Sequence, residues 1–119
     1  MPQKFPARLR VTRQCDFTRA FARGSRAADR RLRVWVSANN LDYARLGVAV
    51  GKKHGNAVRR NRLKRVTREA FRLRLDEFPP GVDIICMPRY DVELSSADCI
   101  ESMTRLVKKA AGRDTVGDA

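Results

Sequence analysis

Four basic residues, Arg60, Lys64, Arg68 and Arg72, recur at every fourth position of the stretch GKKHGNAVRRNRLKRVTREAFR, residues 51–72, which holds a single acid, Glu69. Four-residue spacing aligns them along one face of a helix. Asn61 and Arg65 fall beside that stripe. Leu63, Val66, Ala70 and Leu73 form a narrow apolar stripe elsewhere on the helix, flanked by Arg59, Arg62 and Arg74. Phe71 fits neither stripe. A solvated helix face intersperses acids at the same spacing to form pairs; this face repels itself. A guanidinium fork binds two oxygens at once, so an arginine stripe suits a phosphate backbone. Asn61 adds an acceptor carbonyl that arginine lacks. It suits a ribose hydroxyl, a base edge or a water on a bound metal ion, and equally a tolerated surface position.

Aromatic residues give a second signal. In RLRVWVSA, residues 31–38, strand alternation sends Leu32, Val34 and Val36 one way and Arg31, Arg33, Trp35 and Ser37 the other. A Trp among arginines is either a partly covered edge residue or a stacking platform. Phe17 and Phe21, four apart, share one face of a short helix and are by default core anchors. With that helix laid along the open sheet face, the three aromatics line one groove. Aromatics floored by a sheet and rimmed by Arg and Lys suit single-stranded nucleic acid, each stacked base contributing roughly 1–3 kcal/mol.

The totals agree with a polyanionic partner. The 119 residues carry a formal net charge of +13. The charge divides as +8 over residues 1–51, +9 over 52–75 and −4 over 76–119. The anion is therefore expected on the N-terminal half and the Arg-rich helix, with the last third as scaffold. No nucleophile–base pair, paired carboxylates or metal-ligand spacing is evident, so protein-borne catalysis is not expected. His54 is the one histidine and reads as polar surface at a strand–helix junction. Cys15, Cys86 and Cys99 read as idle thiols of a reducing cytosol. GKKHGN lacks P-loop spacing. No apolar run is long enough to span a membrane and no signal-peptide core follows Met1, so a cytoplasmic protein without membrane contact is expected.

The positioning elements follow from caps and breakers. Residues 1–11 read as an extended basic arm. Thr12 is expected to cap a helix from about Arg13 to Arg23, stopped by Gly24. Strands are expected at 31–38 and 45–51; their short connection predicts an antiparallel pair. Gly55 and Asn56 open a helix over about Ala57–Leu75, which Pro79 and Pro80 end. VDIICM, 82–87, reads as a buried strand. Ser95 or Ser96 caps a final helix, about Ala97–Ala111, which Gly112 ends. A long helix between strands predicts a crossover to a parallel neighbour, hence a two-layer α/β sandwich of class α+β. One domain over 1–119 is expected, ordered over about 8–112, with 1–7 and 113–119 flexible.

At GNAVRRNRLKRVTREAFR the sequence resembles the bacterial ribonuclease P protein component, whose hallmark Arg-Asn-Arg helix matches Arg60-Asn61-Arg62, followed by Lys64, Arg65 and Arg68. LRVTRQCDFTRAFARG resembles the family's N-terminal pattern through Leu9, Phe17, Phe21 and Gly24. RLGVAVGKKHGNAV and DIICMPR resemble its strands, and the likeness covers about residues 8–110. The resemblance implies an α-β(3)-α-β-α order with an extra strand near Ser25–Ala28 and a left-handed βαβ crossover, of the ribosomal protein S5 domain 2-like type, against the usual right-handed rule. It implies removal of the 5′ leader of precursor tRNA, with catalysis by a large RNA subunit using Mg²⁺ and no obligate protein partner. By the same resemblance Arg60, Asn61, Arg62, Lys64, Arg65 and Arg68 bind the RNA subunit. Phe17, Phe21 and Trp35 form the leader cleft, with Lys52 and Lys53 at its rim. Trp35 stands where the family often has Tyr, and Arg59 is extra charge at a variable position. The competing readings are a ribosomal or RNA-chaperone-type protein and, more weakly, a DNA binder; Ala57 and Val58 leave the helix N-terminus without base-reading side chains.

Overall fold

The computed structural model of the chain describes residues 6–118, apart from the side chains of 113–118. The elements run α1 (Gln14–Arg23), β1 (Ser25–Ala28), β2 (Leu32–Ala38), β3 (Arg45–Val48), α2 (Ala57–Leu73), β4 (Val82–Pro88) and α3 (Ser96–Asp118). This is the α+β order expected, including the short first strand. The flexibility expected of residues 1–5, and of the side chains beyond 112, lies outside the described residues.

The sheet order is β1-β2-β4-β3. β4 runs antiparallel to β2, with Val34 opposite Cys86 and Trp35 opposite Ile85. It runs parallel to β3, with Leu46 opposite Ile84, and α2 is the crossover. The direct β2–β3 pair expected from their short connection is therefore not formed: β4 inserts between them. A six-residue connection easily spans two inter-strand spacings, about 10 Å. The apolar run of β4 pairs along all of β2 and so takes the central place.

Helices α2 and α3 cover one sheet face. Val34, Val36, Leu46, Ile84 and Cys86 pack there against Leu63, Ala70, Phe71, Met103, Leu106 and Val107. The apolar stripe of α2 differs from the expected one at its C-terminal end. Leu73 is 43% exposed, while Phe71 is fully buried and stacks on Phe78 at 5.5 Å. Phe78 returns from the segment that follows the helix, a partner that helical spacing cannot show. Thr67 is also buried on this face, its hydroxyl donating to the Leu63 carbonyl at 2.7 Å.

The opposite face carries α1 alone. Val11, Ala20, Trp35 and Ile85 form a small second core there, with Phe17, Ala49 and Met87 packed against it. Residues 7–11 are not an extended arm. Ala7–Leu9 make a 3-10 turn, Leu9 and Val11 are buried, and the Val11 amide donates to the Leu46 carbonyl at 2.8 Å, covering the free edge of β3. Thr12 does not cap α1; the N-cap is Arg13, without a side-chain bond. Asn56 does cap α2, accepting from the Arg59 amide at 2.9 Å, and Ser95 accepts from the Asp98 amide at 3.1 Å at the start of α3. Helix α3 continues through Gly112 to Asp118 instead of ending there.

Candidate nucleic-acid interface

Leu63, Val66, Thr67, Ala70 and Phe71 turn inward, which leaves the other side of α2 to the cations. At about 3.6 residues per turn, residues two apart point roughly 160° apart. Arg60 and Arg62 therefore lie on opposite flanks of the helix. Asn61 and Arg65 occupy the middle of the solvent face and are exposed, with Lys64 and Arg68 half-buried on the Arg60 side. Arg62 has an acid within reach, Glu93 at 3.6 Å, and Arg72 is paired with Glu69. Among the described residues no acid pairs with Arg60, Lys64, Arg65 or Arg68. Burial and, second, the charge of Arg10 lower the Arg68 guanidinium from its ordinary value. A bound phosphate relieves that repulsion.

The second feature is a cleft of about 500 Å³ between α1 and the β3–α2 connection. Phe17 and Phe21 line it, with Val48–His54 opposite and Met87 and Tyr90 at one end. Lys52 and Lys53 are exposed on its rim. Phe17 lies directly on the sheet because residue 47 is glycine: a Cβ there would come within 3.0 Å of the Phe17 ring and 2.6 Å of Ile85 Cδ1. The structure brings four of the five expected cleft residues, Phe17, Phe21, Lys52 and Lys53, to this cleft. Trp35 does not line it; the indole is buried beneath, 8% exposed, and meets Phe21 edge-on at 4.8 Å. It backs the Phe21 ring, which is 40% exposed.

Three residues of this region escaped the sequence reading. His54 is not polar surface but 3% exposed. Its Nδ1 accepts from the Gly51 amide at 3.0 Å, so its Nε2–H donates to the Pro88 carbonyl at 2.7 Å. The ring thereby ties the β3–α2 connection to the end of β4. Tyr90, 44% exposed, stands edge-on to that ring at 4.7 Å, with Lys53 Nζ 5.9 Å from its own centroid. Arg59 is a clamp rather than spare charge. It donates to the carbonyls of His54, Tyr90 and Val92 at 2.8, 3.1 and 3.0 Å, with Glu93 at 3.4 Å. A hint lay in Gly55, whose φ of +115° makes the turn that Arg59 packs against.

Two buried acids serve the fold. Arg45 holds Asp83 through two bonds of 2.8 and 2.7 Å and reaches Asp16 of α1 at 3.4 Å. Burial pushes the Cys99 thiol up to about 12 and Cys86 well above its ordinary value, so neither is a nucleophile. Among the described residues no three His, Cys, Asp or Glu side chains converge to hold a metal ion. No helix among them is long and apolar enough to cross a membrane.

The comparisons with known proteins supply the family. The family profile described as Ribonuclease P matches residues 5–111. This chain belongs to the ribonuclease P protein family. The ribonuclease P protein component of Pelotomaculum thermopropionicum is 42% identical over 96 residues, covering 80% of this chain and 86% of that relative. The one from Clostridioides difficile is 35% identical over 101 residues, 83% of this chain and 89% of that relative. Among solved structures, the RNase P protein from Thermotoga maritima superimposes with a TM-score of 0.76 at 33% identity, covering 84% of this chain and 96% of that one. The Staphylococcus aureus RNase P protein gives 0.76 at 33%, with 86% and 94% covered. As a ribonuclease P protein, the chain is a component of a ribonuclease holoenzyme and a partner of its RNA.

Proposed function

We propose that this protein docks the ribonuclease P RNA subunit on the solvent face of α2 and holds the 5′ leader of precursor tRNA in the cleft, assisting endonucleolytic removal of the leader. Arg60, Arg62, Lys64, Arg65 and Arg68 take backbone phosphates, and Asn61 reads a hydroxyl, base edge or metal-bound water between them. Phe17 and Phe21 stack leader bases, Trp35 holds Phe21 in place, and Lys52 and Lys53 meet leader phosphates. The observation that carries this reading is the solvent face of α2, where Arg60, Lys64, Arg65 and Arg68 have no acid partner among the described residues, so that a polyanion removes their mutual repulsion.

The catalytic centre belongs to the RNA subunit in this reading, and Mg²⁺ supplies its charge stabilisation there. Among the described carboxylates Asp83, Asp29 and Glu77 are each bound to arginine, and no three metal-ligating side chains converge among the described residues. The chain's own part is to neutralise phosphates and orient the leader. The test is to add the protein to a bacterial ribonuclease P RNA at low Mg²⁺ and measure precursor cleavage. Stimulation is expected. Binding without stimulation would leave only an RNA-chaperone-type role.

A further inference from the structure

Resting on that reading, we propose that the leader cleft has a second, smaller compartment, beyond Tyr90, that takes one further nucleotide: its base stacks on Tyr90 and its phosphate meets Arg33. A pocket of about 180 Å³ adjoins the main cleft and shares two of its lining residues, Met87 and Tyr90. It is about a third of the main cleft's volume, so it is assigned a single nucleotide. Arg33 lines it and stands directly opposite Met87 across the β2–β4 ladder, on the same open sheet face as Trp35. Arg33 is half-exposed, and no acid among the described residues pairs with it. Arg89 also lines the pocket, but its guanidinium is held by the Asp29 carbonyl at 3.0 and 2.9 Å. Asp91, on the same rim, repels a second phosphate.

Tyr90 is built as a wall rather than a loose loop residue. Its carbonyl is gripped by Arg59 and its ring rests on the buried His54 ring, whose two nitrogens are both bonded. Lys53 Nζ lies 5.9 Å from the centroid of the Tyr90 ring, and the ring, 44% exposed, keeps surface that a base can stack on while its orientation is fixed. Phe21 and Tyr90, 40% and 44% exposed, both line the cleft. A leader that passes Phe17 and Phe21 and crosses Met87 reaches Tyr90 next.

The test measures binding by holoenzyme, reconstituted with a bacterial ribonuclease P RNA, to precursor tRNAs whose leaders lengthen one nucleotide at a time. In the wild type, affinity is expected to rise to a plateau. Tyr90→Ala is expected to end that rise one nucleotide earlier, weakening long leaders by roughly tenfold, the scale of one lost stack, with short leaders unchanged. Tyr90→Phe retains the ring and is expected to match the wild type. Arg33→Ala is expected to lower the salt slope by roughly 0.7, again for long leaders alone. Phe21→Ala separates the two readings. If it weakens every leader that enters the cleft while Tyr90→Ala and Arg33→Ala act equally at all lengths or not at all, the second compartment is overturned and the main cleft stands. If Phe21→Ala shows no leader dependence, both are overturned. Should Tyr90→Ala lower the thermal midpoint, the Arg33→Ala series decides.

Discussion

Replacing Arg65 tests the docking face most directly, because its neighbour Arg72 supplies an internal control on the same helix. Arg65 is exposed and unpaired among the described residues, whereas Arg72 is held by two bonds to Glu69. Five cations make up the proposed face, and Arg62 is shared with Glu93. Four to five neutralised phosphates predict a log–log salt slope of roughly −3 to −4.5, depending on strandedness. Arg65→Ala removes one full contact. The slope should shrink by about 0.7 to 0.9, with affinity for the ribonuclease P RNA falling about tenfold or more at moderate salt. Arg72→Ala should leave the slope within error, since its charge is already spent on Glu69. The assay is equilibrium binding to the RNA across a salt series, with thermal midpoints for both variants. Equal slope changes in the two variants, or none in Arg65→Ala, would refute the sorting of paired from unpaired cations. A lowered midpoint in Arg65→Ala would assign it a structural role.

Gly47→Ala drives a methyl toward the Phe17 ring and Ile85, and should cost about 1–3 kcal/mol while weakening leader-bearing substrate more than leaderless tRNA; denaturant unfolding and paired binding curves check both. Arg59→Ala frees three backbone carbonyls and should destabilise by about 1–3 kcal/mol, and Arg59→Lys should not restore it, because an ammonium lacks the fork that reaches all three; urea midpoints decide. Burial alone would raise the Asp29 carboxyl, but the Leu32 amide, Ser102, the Arg31 amide and Arg105 outweigh it and lower it from 3.8 to about 2. Because the folded value is the lower one, the stabilisation is complete above about pH 4 and is lost as pH falls toward 2; Asp29→Asn should be less stable at neutral pH and lack that acid-side decline in a pH series of thermal midpoints.

Local signals were legible where local chemistry decides. The span of α2, its Asn56 cap and the outward face of Asn61 and Arg65 follow from spacing and capping alone. The same is true of the Leu32, Val34 and Val36 face of β2. Readings failed where a partner arrives from far along the chain. Phe71 is buried by Phe78 across the turn after the helix, and His54 by a carbonyl 34 residues away. The β2–β3 pairing failed because β4, still to come in sequence, is the better partner for both. Trp35 was placed on the correct face, but burial beneath Phe21 depends on how closely α1 approaches, which Gly47 permits and alternation cannot reveal. Tyr90 and Arg59 gave no periodic signal, since each acts through a loop backbone.

The Arg59 guanidinium joins two surfaces that the chain keeps apart in sequence. It leaves the first turn of α2 and closes on the backbone of residues 90 and 92, at the far end of the cleft. Arg59 thereby ties the helix proposed to meet the RNA subunit directly to the wall proposed to meet the leader. On the proposed reading the protein is a fixed set-square: with one arm seated on the RNA, the direction in which the leader departs would be set without further adjustment.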